Sequence, residues 1–251
     1  MNKDFEEIYH RVESTHWWFV ARRGLVKSLV CRAAPDRRSA ILEIGCSGGP
    51  LLQVLRESGY TNLTGIDLSP EAVALCRERN LGEVRVMDAQ RPDFPPASFD
   101  VITASDVLEH LADAGRAVAA WRTLLRPGGT VLIWVPAFKF LWSEHDEVNR
   151  HAHRYRAGEL ADLLRGAGFQ IERRGYWNFF LFLPVALLRL ARRLVRGGSQ
   201  SVPKGDFGPV PALLNSLLIA LLGLENRLIV GGVNFPWGVS AMVIARKPTA
   251  A

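Results

Sequence analysis

The fold is decided by one stretch of sequence, Ala40-Ile41-Leu42-Glu43-Ile44-Gly45-Cys46-Ser47-Gly48-Gly49. Its first half is an apolar run of strand length, and the glycines that follow permit a tight turn. Residues 50–58 then have the pattern of a helix. A buried strand that passes through a glycine turn into a helix is typical of an open α/β sheet, whose ligands bind at the carboxyl ends of the strands.

The same alternation of strands and helices extends along the chain. Further strands are predicted at 63–67, 84–88, 99–104, 130–135, 169–173 and 239–245, and further helices within 4–32, from Ser69 onward, at 113–125 and at 157–167. Short strands that alternate with helices predict a largely parallel sheet covered on both faces. We therefore expect an α/β fold with a seven-stranded, mostly parallel sheet in three α/β/α layers. A helical lid precedes this core, and a helical insert comes before the last strand.

Length and composition fit one such domain with a modest elaboration. The 251 residues are 22% charged and 48% hydrophobic, as in globular proteins. We divide the chain into a lid (1–34), a core (35–175), an insert (176–235) and a last strand with the C-terminal tail (236–251). The cysteines, Cys31, Cys46 and Cys76, have no CxxC spacing, which argues against a disulfide framework or a zinc site and predicts a cytoplasmic protein.

Apolar and basic segments alternate along the insert. No acidic residue lies between Glu172 and Asp206, and the whole chain has a formal net charge of +6. A local basic excess of this kind indicates an anionic surface or ligand, and we expect no nucleic-acid partner. Helical spacing places Arg189, Arg192, Arg193 and Arg196 opposite Leu187, Leu190, Ala191 and Leu194. A second leucine-rich helix is predicted at 211–230.

Two interpretations of the insert stay open. A basic amphipathic helix is typical of a peripheral anchor in the interface of an anionic membrane. Exposed apolar surface is equally typical of a cap or a homodimer interface. No stretch reaches about 20 uninterrupted apolar residues, so spanning helices are not expected. If the insert is an anchor, the protein lies at the inner face of the plasma membrane.

Three acidic residues follow successive predicted strands: Glu43, Asp67 and Asp88. A nicotinamide dehydrogenase would need a GxGxxG motif with glycine at 45, 47 and 50, but Ser47 and Pro50 stand there. A carboxylate beside the first turn also disfavours a bound pyrophosphate, whereas it suits a cationic ligand. The acidic residue after the second strand is placed to accept hydrogen bonds from ribose hydroxyls.

Taken together, segments 42–49, 65–69, 87–89, 99–111 and 124–129 resemble class I S-adenosylmethionine (SAM)-dependent methyltransferases, which have a Rossmann-like fold. The resemblance implies SAM as the cofactor. By the same resemblance, the cofactor-binding residues are Glu43, Gly45, Cys46, Gly48, Asp67, Leu68, Asp88, Ala89, Ser105, Asp106 and His110. The segments 16–19 (His-Trp-Trp-Phe) and 145–155 resemble a bacterial subgroup of this family, from which the sequence departs at Ala152 and His153.

The loop after strand 130–135 must pass over the mouth of the site. Chemistry on the methyl acceptor is therefore predicted for His145, Asp146, His151 and Tyr155. His151-x-His153 suggests a metal, but no third ligand has supporting spacing, so no metal is predicted. Trp17 and Trp18 fit either core packing or a lid, the latter with Arg22 or Arg23 near the SAM carboxylate.

The expected function is methyl transfer from SAM to a hydroxyl of a hydrophobic or lipid-linked acceptor at a membrane surface. One alternative is a soluble small-molecule methyltransferase that acts on a quinone or another natural product. A second alternative is a SAM-binding regulatory protein without turnover. The expected partners are the small-molecule or lipid-linked acceptor, an anionic membrane and, through the insert, a second copy of the chain.

Overall fold

The computed structural model describes residues 12–195 and 210–249. The strands are β1 (Ile41–Ile44), β2 (Leu63–Asp67), β3 (Glu83–Val86), β4 (Phe99–Ser105), β5 (Leu125–Pro136), β6 (Gln170–Trp177) and β7 (Ser240–Arg246). The helices are α1 (Trp17–Ala33), α2 (Pro50–Glu57), α3 (Pro70–Glu78), α4 (Ala114–Leu124), α5 (Glu144–Val148), α6 (Ala157–Gly166), α7 (Phe182–Val195) and α8 (Ala212–Val230). Short 3₁₀ turns follow β4 at Leu108–His110 and β5 at Lys139–Leu141.

The strands form one seven-stranded sheet, within the described residues, in the order β3-β2-β1-β4-β5-β7-β6. Strands β1 to β5 are parallel, whereas β7 runs antiparallel to both β5 and β6. The predicted Rossmann-like fold, with its mostly parallel sheet and its helical insert before the last strand, is confirmed. The strand order reverses beside β1, which is where an open α/β sheet leaves a crevice for a ligand.

Two strands are longer than the sequence predicted. β5 begins at Leu125, earlier than predicted. Residues 127–129 were expected to precede the strand, but they form a bulge within it, where the pairing with β4 shifts register. The backbone of this bulge stays bonded to the tail after β7, with the Gly128 N–H donating to the Lys247 carbonyl at 2.8 Å. β6 runs to Trp177, two residues beyond the expected end of the core.

Both faces of the sheet are buried. Leu42 and Ile44 of β1 pack on one face in a cluster that includes Trp121 of α4, while Ile41 packs on the other with Leu25 of α1. Burying a side chain of this size contributes roughly 1.5–3 kcal/mol. Continuous apolar strands are therefore required here, as is usual in parallel sheets.

The N-terminal helix and the insert form one packed layer. α8 packs against α1, and Asn226 of α8 joins α1 to the sheet. Its Nδ2 donates to the Ala21 carbonyl, and its Oδ1 accepts from the Trp177 indole N–H, both at 2.8 Å. At the other end, the Trp17 N–H donates to Asn215 Oδ1 at 2.8 Å. The lid and the insert, which the sequence suggested as separate parts, thus support each other.

Glu225 of α8 fixes the turn from β6 into α7. Its fully buried carboxylate accepts backbone N–H groups from Asn178 at 2.5 Å, Phe179 at 3.0 Å and Phe180 at 3.2 Å. Burial raises the pKa of Glu225, while these hydrogen bonds act in the opposite direction. One side chain therefore holds the start of α7, a helix that forms part of the site.

Leucines are exposed on both helices of the insert. By length and composition alone, α8 could cross a membrane. No helix with this property was expected from the sequence. Its outer face exposes Leu213 and Leu217, with fractional exposures of 76% and 58%. On α7 the exposed residues include Leu183 and Leu187, whereas the Arg189 side chain bonds to the Leu141 carbonyl at 2.7 Å. The arginines predicted at 192, 193 and 196 have side chains outside the described part of the structure.

We expect the change Glu225→Ala to lower the free energy of unfolding by at least about 2 kcal/mol, because it leaves buried N–H groups without an acceptor. Glu225→Gln, which keeps one acceptor oxygen, is expected to cost less. Urea unfolding measures both. The control is Glu172→Ala, which removes a partly exposed ion pair with Arg246 and should change stability by less than about 1 kcal/mol. Equal losses in Glu225→Ala and Glu172→Ala contradict the role of Glu225.

Candidate functional site

A cavity of about 760 Å³ opens at the carboxyl ends of the central strands. This volume suits one small-molecule ligand. The side of the cavity near β2, called here the β2 side, is lined by Gly45, Ser47, Asp67, Leu68, Ser69, Met87 and Ala89. The side near β5, called the β5 side, is lined by Glu109, His110, His145, Asn149, His151 and Arg154. α1 contributes Trp17 and Trp18, and α7 contributes Val185, Leu188 and Arg189.

The glycine turn after β1 forms the floor of the β2 side. Gly45 has a φ of +72°, and a Cβ at this position would lie 2.6 Å from Val107 Cγ2. Only glycine fits this close approach without displacing the neighbour. Ser47 also has a positive φ, of 49°, and its backbone N–H donates to Asp67 Oδ2 at 2.9 Å. The first turn is therefore held against the end of β2.

Asp67 is oriented by two backbone groups. One oxygen accepts from the N–H of Ser47 and the other from the N–H of Ser69, both at 2.9 Å. Both donors come from the segments that turn away from β1 and β2. A carboxylate held in this way is a preorganised acceptor for hydroxyl groups of a ligand in the cavity.

The β2 side also concentrates negative charge. Glu43 is buried behind the cavity wall, where burial, followed by the charges of Glu13 and Asp67, raises its pKa well above the ordinary value. Its carboxyl group accepts from the Leu52 backbone N–H, while Oε2 has no partner among the described residues. Glu13, before α1, accepts from Ser47 Oγ at 3.1 Å. This arrangement favours a positively charged ligand.

Arg22 of α1 connects the helix to the ends of β4 and β7. It is 5% exposed, and its Nη2 donates to Ser240 Oγ at 2.6 Å while its Nη1 lies 3.4 Å from Asp106 Oδ2. The guanidinium also stacks over Trp177, 4.3 Å from the ring centroid. The neighbouring Arg23 donates to the Glu13 carbonyl. Neither arginine lines the cavity, and Arg22 instead positions Asp106, which does.

On the β5 side, Asp146 orients His151. Burial alone would raise the pKa of Asp146, but hydrogen bonds from His151 and Arg154 outweigh it and hold the pKa well below the ordinary value. His151 Nδ1 lies 2.8 Å from Asp146 Oδ1, and Arg154 binds both carboxylate oxygens at 2.7 and 2.9 Å. Since an ionised carboxylate can only accept, Nδ1 carries a proton, and in the neutral imidazole Nε2 is then the nitrogen with the free electron pair.

Glu109 and His110 lie beside His151 on the 3₁₀ turn after β4. The Glu109 carboxyl is fully buried, and its pKa is raised well above the ordinary value by burial and then by the charge of Asp106. His110 is exposed and lines the cavity. Burial, reinforced by His151, lowers its pKa to about 4. The imidazole of His110 is therefore neutral at physiological pH.

The cavity brings together nine of the fifteen residues that the sequence proposed for the site. They are Gly45, Asp67, Leu68, Ala89, Ser105, Asp106, His110, His145 and His151. Glu43 and Asp146 lie behind the wall and act through neighbours. The predicted roles of all these residues remain predictions.

The remaining predicted residues lie outside the cavity lining. Cys46 is buried against the neighbouring strand, since its Sγ would lie 2.9 Å from a Cβ placed on Gly65. Asp88 accepts from the Gln90 N–H at 2.8 Å, in its own turn, and Tyr155 belongs to the apolar core, where burial raises its pKa to about 12. Gly48, the fourth, is likewise absent from the wall.

Several lining residues were missed by the sequence analysis. They are Ser47, Met87, Glu109, Asn149, Arg154, Val185 and Leu188. Glu109 belongs to the quoted segment 99–111, so the motif was visible although its buried side chain was not. Nothing in the local sequence signals that α7 forms a wall.

Comparison with known proteins defines the class. The family described as "Methyltransferase domain" matches residues 18–173. A protein of Idiomarina loihiensis named ubiquinone biosynthesis O-methyltransferase is 36% identical over 97 residues, which are 36% of this chain and 40% of that protein. One of the same name from Thiobacillus denitrificans is 30% identical over 168 residues, 63% of this chain and 65% of that protein. This chain thus spans less than two thirds of either relative.

A solved structure supports the same fold. Phosphoethanolamine N-methyltransferase 2 of Haemonchus contortus, in complex with SAM, has a TM-score of 0.57 at 19% identity, covering 98% of this chain and 60% of that one. The chain therefore belongs to the methyltransferase-domain family, with the fold of the SAM-dependent class I enzymes. The predicted family and the predicted cofactor, SAM, are confirmed.

The residues of the β2 side fit SAM. Its sulfonium and ammonium groups are cationic. Asp67 lines this side of the cavity, and Glu43 lies buried behind the wall with one oxygen that has no partner among the described residues. Gly45 lines the same side of the cavity, where its lack of a side chain lets Val107 pack against the turn. Asp67 would hold the ribose hydroxyls, and the wall at Met87 and Ala89 would contact the adenine.

We expect SAM affinity to rise as the pH is raised above 4.5. Without ligand, the pKa of Glu43 is raised. A cationic ligand favours the ionised form of this carboxyl, so binding releases a proton between the pKa of Glu43 in the complex and its pKa in the free protein. Glu43→Gln should lose this pH dependence and bind SAM at least about tenfold more weakly, which is roughly 1.4 kcal/mol. Calorimetric titration at pH 5 to 7 measures both, and Glu83→Gln, on the exposed β3 edge, is the control. A pH dependence retained in Glu43→Gln assigns the proton elsewhere.

Proposed function

We propose that this chain transfers the methyl group of SAM to a hydroxyl of an apolar, quinone-type acceptor. One observation carries the proposal: a single cavity has carboxylates on its β2 side, imidazoles on its β5 side and an apolar wall from α7. The relatives named ubiquinone biosynthesis O-methyltransferase support this acceptor class. They favour the quinone alternative of the sequence analysis over the broader class of lipid-linked acceptors.

On the β2 side, the chain binds and orients the donor. SAM, when bound, supplies an electrophilic methyl group. Asp67, fixed by two backbone N–H groups, orients the ribose, and the carboxylates around it favour the positive charge. Trp17 and Trp18 of α1 line the cavity, where their rings would limit the access of water to a bound donor. Holding two reactants in near-attack geometry contributes about 7–11 kcal/mol in model reactions.

On the β5 side, the chain prepares the acceptor. A hydroxyl becomes a good nucleophile when its proton is withdrawn during attack. Asp146 binds Nδ1 of His151, which leaves Nε2 as the nitrogen available to an acceptor in the cavity that His151 lines. His145 stands nearby, its ring centroid 5.8 Å from that of His151. These two imidazoles are the groups that act on the acceptor hydroxyl.

The wall from α7 selects an apolar acceptor. Val185 and Leu188 line the cavity, and Arg189 next to them is anchored on the Leu141 carbonyl. Apolar side chains at this position favour a ring or chain without charge.

The outer face of α7 supports a further element of the proposal, access from a membrane surface. Leu183, Leu187 and Leu190 are 63%, 58% and 41% exposed on the helix whose other side lines the cavity. The surrounding sequence from Glu172 to Asp206 is basic. Exposed leucines beside an excess of basic residues favour the interface of an anionic bilayer, in which quinone-type acceptors dissolve. The chain would then act from the cytoplasmic side.

His151→Ala should leave SAM affinity within about threefold of wild type and lower turnover at least about 100-fold, since it removes the oriented imidazole. Formation of the demethylated cofactor is measured with hydroxylated benzoquinols that carry a short apolar tail. His153→Ala is the matched control, because His153 is exposed and pairs with Glu159. Wild-type turnover in His151→Ala removes this residue from the mechanism. SAM binding without turnover on any quinol supports the non-catalytic alternative.

The double change Leu187→Ser with Leu190→Ser should reduce flotation with anionic liposomes at least about fivefold, because it removes apolar area from the interface. Val86→Ser, an exposed apolar site on the β3 edge, is the control and should float like wild type. A wild-type chain that does not float, but forms a dimer that the leucine changes disrupt, overturns the membrane proposal in favour of a homodimer.

A further inference from the structure

Three potential metal ligands meet on the β5 side of the cavity. Glu109, His110 and His151 each offer one ligand atom, and these atoms all lie within 4.8 Å of one another. Tetrahedral ligands bound to one Zn²⁺ at about 2.0–2.2 Å are themselves about 3.3–3.6 Å apart, so side-chain adjustments of about 1 Å bring all three onto a common ion. Glu109 and His110 come from the turn after β4, and His151 comes from the loop after β5.

Glu109 has no other explanation in the described structure. Its carboxyl is 0% exposed, and neither oxygen has a hydrogen-bond partner on another described residue. The nearby Arg154 does not compensate for this, because its guanidinium binds Asp146 and the Ala137 carbonyl. A buried carboxyl without partners is costly unless a ligand satisfies it, and Glu109 lines the cavity where a ligand would sit.

His151 has the support that metal-binding histidines require. Its Nδ1–H donates to Asp146, which Arg154 and the Ser143 N–H hold in place. A carboxylate behind the imidazole fixes the tautomer and makes the other nitrogen a stronger ligand. The ring centroids of His110 and His151 are 4.7 Å apart, so the two imidazoles can share one ion.

We propose that Glu109, His110 and His151 bind one divalent transition-metal ion of the Zn²⁺ type, with an open coordination position that faces the cavity. Two imidazoles and one carboxylate are a ligand set that suits Zn²⁺ and neighbouring transition metals more than Mg²⁺ or Ca²⁺. Three protein ligands with a free position are typical of catalytic sites. The sequence predicted no metal because His151-x-His153 has no third ligand with supporting spacing. In the structure His153 pairs with Glu159 instead, and the ligands beside His151 are Glu109 and His110.

Such an ion would change how the acceptor is activated. A hydroxyl bound at the open position would have a lowered pKa and would lose its proton to water. The Nε2 of His151 would then bind the ion, so His151 would act as a ligand and not as the base. This chemical role rests on the proposed function, whereas the binding site itself does not. Metal binding and methyl transfer therefore have separate tests.

Titration of chelator-treated, full-length protein with Zn²⁺, followed by Co²⁺ absorption spectra, tests the site without SAM or acceptor. We expect one equivalent to bind to wild type, and His110→Gln, Glu109→Gln and His151→Ala each to weaken binding at least about tenfold. His153→Ala is the matched control and should bind like wild type. The Co²⁺ spectrum should lack thiolate charge-transfer bands, which separates this site from the cysteines.

The three ligand variants are compared only where thermal unfolding and SAM affinity match those of wild type. His110→Gln lies at the open wall of the cavity, so it keeps the test valid if the buried Glu109→Gln does not fold. No stoichiometric binding to wild type, or binding unchanged in His110→Gln and His151→Ala, overturns the metal site. Metal binding without turnover on any quinol leaves the site standing and overturns the proposed reaction instead.

Discussion

The site depends on carboxylates that the fold gathers around the glycine turn after β1. Glu13, Glu43 and Asp67 lie close enough that the first and last raise the pKa of the second. Arg23 is within electrostatic reach, yet its guanidinium donates to backbone carbonyls of the segment before α1. The charge of a bound cation is therefore part of what this region is built to accommodate. This explains why the class of donor can be argued from electrostatics as well as from family membership.

The second feature on which the site depends is the layer formed by α1 and α8. Asn226 bonds to the backbone of α1 and to the indole of Trp177, and Arg22 stacks on the same indole while it holds Asp106. Packing in the insert is thus transmitted to a residue of the cavity through two side chains. The insert is part of the architecture of the site, although it lies far from the glycine turn in sequence.

The sequence predicted the sheet well because each central strand is buried on both faces, which requires a continuous apolar run. It also identified Asp67, since a strand-end acidic residue beside a glycine turn has few other positions to occupy. It failed where side-chain direction depends on local geometry. Cys46 turns into the core against Gly65, Asp88 closes its own turn, and the 3₁₀ turn at Leu108–His110 carries Glu109 inward. The direction of Arg189 could not be predicted either. Its hydrogen bond to the Leu141 carbonyl is a tertiary contact, which the helical periodicity of the sequence does not reveal.

Because α7 has one side in the cavity and its leucines on the outside, the two surfaces are energetically linked. Any contact that shifts this helix from outside alters the width of the acceptor chamber. By thermodynamic reciprocity, an acceptor that favours one position of the helix strengthens the outside contact by the same factor. If the proposed acceptor and the proposed membrane surface both contact α7, substrate preference and attachment are linked, and a substitution in α7 that tunes one would shift the other.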